Sequence, residues 1–378
     1  MTAPIEPFVP GVSDADLEDL RDRLRRTRWP DDATVPDWSQ GVPLGYLQGL
    51  CSYWSEGYDW RTRQTRLAEL PQFRTEIDDV DIHFLHVRSA EPAAMPLILT
   101  HGWPGSFLEF VDVIGPLTDP VAHGGDAADA FHVVAPSLPG YGWSGRPRNT
   151  GWGIERIADV WAELMLRLGY QRYGAQGGDW GAAVTTRLGH QHPDPLVGIH
   201  LNMPSGRPPK GQTEFTPAEQ KALESGQHYQ RWEAGYSTQQ STRPQTLGYG
   251  LTDSPAAQCA WILEKFWSWS DCDGDPVTFF GADRLLDNIT LYWLTGTATS
   301  SARLYWESFR TFRTGDVTVP VGASMFPKEI VQVPRHWAEL AYPDLRYWNE
   351  PERGGHFAAF EQPAIFVDEV RNFFRLVR

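Results

Sequence analysis

Two residues in this chain stand out for the chemistry they could do: an aspartate enclosed by glycines, and a histidine behind a glycine pair far downstream. Gly177-Gly178-Asp179-Trp180-Gly181 follows a strand-like run and opens a helix-like one. That is the shape of a nucleophile elbow, G-x-Nuc-x-G, with Asp where serine usually stands. Glycines flank such a residue because its backbone is strained and neighbouring Cβ atoms would clash. No G-x-S-x-G elsewhere offers a competing serine. A carboxylate here points to substitution at an sp³ carbon rather than to acyl transfer. It makes an ester, which an activated water can break at the carbonyl carbon. A serine would leave an ether that water does not cleave under mild conditions. The competing reading of Asp179 is a helix cap.

His356, in Gly354-Gly355-His356-Phe357, lies after the last predicted strand and before the last helix. A base belongs there, third in chain order after nucleophile and acid. The acid should follow the strand that ends near Val321. Glu329 in Phe326-Pro327-Lys328-Glu329 is favoured, to hold the imidazole tautomer and stabilise the imidazolium. Asp344, Glu350 and Glu352 read as solvated turn carboxylates. His101-Gly102-Trp103-Pro104-Gly105-Ser106 follows another strand-like run. The backbone N–H groups of Trp103 and Trp180 are the expected oxyanion donors, and His101 itself reads as structural.

Alternating strands and helices must carry these residues. His83–Val87, Leu97–Thr100, Phe131–Ala135, Tyr173–Gln176, Val197–Leu201, Val317–Val321 and Leu345–Trp348 read as strands. Ile154, Ile157, Trp161, Leu164 and Leu168 form one helix face, and the last helix runs from Ala364 to Leu376. Ser13 with Asp16 reads as the cap of a first helix that Trp29-Pro30 stops. The reading is an α/β fold, with a mostly parallel central sheet flanked by helices. An arm over residues 1–80 packs on core and lid, the core takes 81–203 and 301–378, and a helical, tryptophan-rich lid fills 204–300.

Bulk composition limits the partners. Hydrophobic content of 41% and charged content of 21% over 378 residues suit one large globular core with a subdomain. A net charge of −15 disfavours nucleic acid and anionic membranes. Cys51, Cys259 and Cys272 have neither disulfide nor zinc spacing and are expected as reduced thiols. With no signal-like N-terminus and no apolar run near 20 residues, a cytoplasmic location is expected. The basic residues are nearly all arginine, a hint of a GC-rich bacterial source. Gly140-Tyr141-Gly142-Trp143-Ser144-Gly145 matches a dinucleotide fingerprint but lacks the following helix. Asp271, Asp273 and Asp275 lack the glycine and closing glutamate of a calcium loop. No cofactor or metal is therefore expected, and the sequon at Asn288 carries no weight in a cytosolic chain.

Taken together these residues carry a resemblance. YWSEGYDWR, HGWPGS, PSLPGYGWSG, QGGDWG, ILEKFWSWSD, LYWLTGT, FPKE and RGGHFAAFEQP run nearly end to end. On them the chain resembles the microsomal-type epoxide hydrolases, including their N-terminal epoxide-hydrolase domain. The resemblance implies the α/β-hydrolase fold, with Asp179 as nucleophile, His356 as base and Glu329 as orienting acid. It also implies two lid tyrosines that hydrogen-bond the epoxide oxygen and protonate the alkoxide; these fall on Tyr236 and Tyr305, with Tyr229, Tyr249 and Tyr292 as rivals. A neutral phenol suits that task. The expected partners are a bulky apolar epoxide and water, and a homodimer is compatible with the chain. The hydrophobic anchor of membrane-bound members is missing here, so a soluble protein is expected. The alternatives are a haloalkane dehalogenase-like hydrolase and a silent binder of hydrophobic ligands. A role in natural-product biosynthesis or in detoxification is left open.

Overall fold

Short runs of consecutive apolar residues have no polar face to offer water, and here they meet in the middle of one sheet. A computed structural model of the chain describes residues 3–309 and 317–378. Among these residues nine strands form one sheet in the order β1-β2-β3-β5-β4-β6-β7-β8-β9. They are β1 (Glu6–Pro7), β2 (Gln72–Ile77), β3 (Val80–Val87), β4 (Met95–Thr100), β5 (Phe131–Pro136), β6 (Tyr173–Gly177), β7 (Leu196–Leu201), β8 (Val321–Ser324) and β9 (Leu345–Asn349). Pairing is antiparallel from β1 through β3 to β5, and parallel from β5 through β4 to β9. Leu97, Ile98, Leu99, Val133 and Val134 are fully buried, as strands covered on both faces must be.

Three helices precede the central sheet: α1 (Asp14–Arg25), α2 (Leu44–Glu56) and α3 (Trp60–Ala68). Ser13 and Asp16 form the expected reciprocal cap on α1. The core helices are α4 (Val111–Thr118), α5 (Ile154–Arg167) and α6 (Trp180–Gln191). Between β7 and β8 come α7 (Pro217–His228), α8 (Gly235–Thr242), α9 (Pro244–Asp253), α10 (Pro255–Trp269), α11 (Pro276–Phe280), α12 (Ala282–Thr295) and α13 (Ala298–Ser308). A five-residue π-turn, Tyr229–Glu233, links α7 to α8. After β8 follow α14 (Arg335–Ala341), α15 (Ala358–Glu361) and α16 (Pro363–Phe374). Helix α5 packs on α6, and α4 on α16.

The N-terminal segment does more than pack. Its β1 and β2 extend the sheet, with Phe73 opposite Phe84, and its helices strap the lid down. The Arg63 guanidinium binds Asp287 through Nε at 2.9 Å, and the Tyr58 hydroxyl donates to Asp287 at 2.8 Å. Trp38 stacks on Trp267 at 5.0 Å. Extended backbone at Gln72–Ile77 is hard to read because polar and apolar residues do not alternate cleanly there.

Two further differences have plain causes. The strand expected over Val317–Val321 begins only at Val321, because Pro320 has no N–H to give a ladder; Val317 and Val319 are buried as loop residues. The helical insert runs past residue 300, through α13 to Ser308. Residues 1–2 and 310–316, the latter inside the second expected core segment, lie outside the described residues. Among those described, no helix is long and apolar enough to cross a membrane.

Candidate active site

Asp179 sits where β6 ends and α6 begins, with φ 50° and ψ −127°. A non-glycine residue in this region costs roughly 1–3 kcal/mol and persists only when its surroundings impose it. Here they do. A Cβ on Gly177 would run into the Gly181 carbonyl, and one on Gly181 into the Thr100 carbonyl. Gly102 matters as much, because a Cβ there would overlap the Asp179 carboxylate. The Trp103 N–H is thereby free to donate to Asp179 Oδ1 at 2.8 Å. Trp180 is the first residue of α6, so its N–H has no partner within the helix.

The loop after β9 carries His356. Its Nε2 lies 3.3 Å from Asp179 Oδ2, and its Nδ1 meets Glu329 Oε1 at 2.6 Å. Glu329 stands on the loop after β8, and Oε1 also accepts from the Ile330 N–H at 2.8 Å. The rival acids lie elsewhere: Asp344 pairs with Arg346, and Glu350 accepts from the Trp348 indole. Burial works against a charged imidazole, yet Glu329 and Asp179 together hold His356 well above the usual histidine range. Both neighbouring carboxyl side chains thus favour the charged form of the ring.

Lid residues complete the site from above. Tyr305 Oη lies 3.4 Å from Tyr236 Oη, which lies 3.3 Å from Tyr229 Oη. Burial raises Tyr236 and Tyr305 well above the ordinary phenol value, so both stay neutral donors. The Trp103 indole stacks on Tyr236 at 4.9 Å and 10°, and the Trp180 indole meets Tyr305 edge-on at 4.8 Å. The two tryptophans singled out for their backbone N–H groups thus also clamp the phenols with their rings. Of the rival tyrosines, Tyr249 is exposed, and Tyr292 donates to the Gly105 carbonyl at 2.8 Å.

Asp179, Trp180, Tyr229, Tyr236 and Tyr305 line a cavity of about 650 Å³, whose further walls include Met203, Val331, Val333, Trp337 and Leu340. Asp179 and Arg207 are the charged residues in this lining. The arrangement offers a carboxyl group in a mostly apolar chamber, an imidazole beside it and two neutral phenols.

Several residues here escaped the sequence. Asn288, set aside as a sequon, is buried in α12; it accepts from Ser106 Oγ at 2.8 Å and donates to the Pro104 carbonyl at 2.8 Å, so the lid grips the loop after β4. Asp271 accepts the Gly354 N–H at 3.0 Å, and Glu361 accepts the N–H groups of Asp271 and Phe357; both brace the His356 loop. The buried Lys265 places Nζ 4.9 Å from the Tyr236 ring. For Asn288 the one available hint was its i, i+4 spacing to Tyr292. His101, read as structural, is held neutral, down to about 4, by burial. Its Nε2 accepts from the Leu138 N–H at 3.1 Å.

This sheet order, elbow and inserted lid define an α/β-hydrolase. Residues 95–251 match the alpha/beta hydrolase fold family, and residues 5–110 match the Epoxide hydrolase N terminus family. A putative epoxide hydrolase of Stigmatella aurantiaca is 55% identical over 99% of this chain and 86% of its own length. Epoxide hydrolase 1 of Oryctolagus cuniculus is 36% identical over 99% of this chain and 89% of its own. The structure of Aspergillus niger epoxide hydrolase superposes with a TM-score of 0.90 at 32% identity, covering 99% and 97% of the two chains. The chain belongs to the epoxide hydrolase family.

Proposed function

We propose that this enzyme hydrolyses a bulky apolar epoxide to a vicinal diol in two steps through an ester on Asp179. The observation that carries the reading is one chamber holding Asp179, with Oδ1 engaged by the Trp103 N–H, below two neutral phenols whose oxygens lie 3.4 Å apart. A ring oxygen between those phenols accepts both hydrogen bonds. Asp179 Oδ2 attacks a ring carbon, the C–O bond breaks, and Tyr236 or Tyr305 gives its proton to the developing alkoxide.

Ester formation removes the charge on Asp179. One of the two carboxylates that hold His356 protonated is then gone, so the imidazole can release its proton to the tyrosinate or to solvent and act as a base. Glu329 keeps its orientation. Water attacks the ester carbonyl, and the N–H groups of Trp103 and Trp180 hold the oxyanion. A haloalkane substrate would call for halide donors in place of the paired phenols. Single turnover in labelled water with enzyme in excess tests the route. The first diol should lack solvent oxygen, and a labelled first diol would exclude the ester.

A further inference from the structure

Behind Asp179, away from the lid, the core encloses a second compartment of about 20 Å³. That is room for one water molecule and little else. Asp179 is the one residue that lines both this compartment and the large cavity. Its other walls include Gln176, Asn202, Gly178, Glu109 and His356. Gln176 is the penultimate residue of β6 and Asn202 follows β7, so two neighbouring parallel strands deliver their amides side by side. Gln176 Nε2 donates to Asn202 Oδ1. Both side chains are at most 2% exposed, yet Gln176 Oε1 and Asn202 Nδ2 have no protein partner among the described residues. A buried acceptor and a buried donor left over beside one small space are costly unless something hydrogen-bonds them.

We propose that this compartment is the station of the water that breaks the ester, and that Gln176 and Asn202 position it. This rests on the Asp179 ester route. Water has two hydrogens and two lone pairs, and the compartment offers a use for each. One hydrogen goes to Gln176 Oε1 and the other to His356 Nε2; one lone pair accepts from Asn202 Nδ2 and the other faces the Asp179 carbonyl carbon. The new bond forms from that lone pair to Cγ as His356 Nε2 takes a proton. The tetrahedral centre then expels the alkoxide, His356 returns the proton to it, the new Asp179 carboxylic acid passes its own proton to His356 Nε2, and the diol leaves with the carboxylate restored. The hydrolytic water is thus held on the core side of the carboxylate, and the substrate chamber need not admit it.

Gln176→Met and Asn202→Leu remove the two free polar atoms. Gly178→Ala narrows the space by one methyl group, whose nearest neighbour is Asn202 Cβ at an ordinary 3.6 Å, so it tests the same point if an amide variant does not fold. Rapid-quench kinetics with intact-protein mass spectrometry, using styrene oxide, resolves ester formation from ester hydrolysis. The expected result is formation within about twofold of the parent and hydrolysis slowed by about tenfold or more, so that alkylated enzyme accumulates. A merely structural role would slow both steps together, and that outcome, or unchanged hydrolysis, overturns the water station while leaving the ester route standing. A parent enzyme that never carries an ester sinks both.

Discussion

The two spaces on either side of Asp179 differ in size and in the polar groups they offer. One is about 650 Å³, walled mainly by aromatic and aliphatic side chains from the lid and the 330–341 segment. The other is about 20 Å³, set in the core, where the amides of Gln176 and Asn202, the Glu109 carboxyl and the imidazoles of His101 and His356 share the walls with Phe110, Phe357 and Phe366. The contrast matches what the two proposed half-reactions need. A carboxylate attacks carbon best when it is poorly hydrated, so the first step favours a dry chamber. The second step needs water, but only one, in one orientation. Placing the proposed nucleophile in the partition between a large room and one with space for a single water lets one side chain serve both.

The largest effect should come from the shared residue. Asp179→Ala should lower steady-state diol formation by on the order of 10⁴ or more, measured with a chromatographic diol assay, because neither space then has a reacting atom. His356→Gln should disable the polar side alone. One equivalent of epoxide should be consumed, turnover should then fall by on the order of 10³, and the protein mass should rise by that of the substrate. Fast continued turnover would show that the base lies elsewhere.

Tyr305→Phe and Tyr236→Phe strike the apolar side. Each should slow ester formation by about 10²-fold in stopped-flow tryptophan fluorescence and leave ester hydrolysis near its parent rate. Loss of both rates would blur the division between the two spaces.

A smaller effect sharpens the polar side. Loss of hydration raises the Glu109 carboxyl to about 8; nearby His356 lowers it, whereas Asp179 and Glu361 add to the rise. The group is neutral below that pH and anionic above it. A new negative charge beside the ester opposes the developing oxyanion, so kcat should fall severalfold as pH rises through about 8. Glu109→Gln should abolish that alkaline limb. The folded chain also keeps this proton where the unfolded chain, at its ordinary 4.5, has lost it. Its contribution to stability therefore declines from about 4.5 to about 8, and denaturant titrations of the Gln variant should show a flatter profile across that window.

The least effect on chemistry should follow from Arg63→Met. It removes the arm's ion pair to Asp287, a group held between Arg63 and Tyr58. Stability should drop by about 2 kcal/mol in urea unfolding, with both half-reactions nearly intact. A large change in ester formation would mean that the strap also shapes the chamber.

Local chain chemistry already dictated much of this molecule. An aspartate between glycines, after a strand-like run and before a helix-like one, has the pattern of a strained turn, and a run such as Leu97–Leu99 with no polar face must be covered on both sides. That sufficed to read the parallel sheet and to single out Asp179, His356 and Glu329, and a family resemblance pointed to Tyr236 and Tyr305. What folding alone decided is which distant groups share a wall. Gln176 and Asn202 sit on separate strands, Asn288 belongs to a lid helix, and Glu109 reaches inward because Gly105 offers no Cβ in its path. Apart from the i, i+4 spacing of Asn288 to Tyr292, none of these has a pattern of its own, since an amide or a carboxyl gains its meaning from the partners that tertiary packing brings to it. The same holds for β1 and β2. Their residues do not alternate, and they become strands because β3 presents an open edge to pair with.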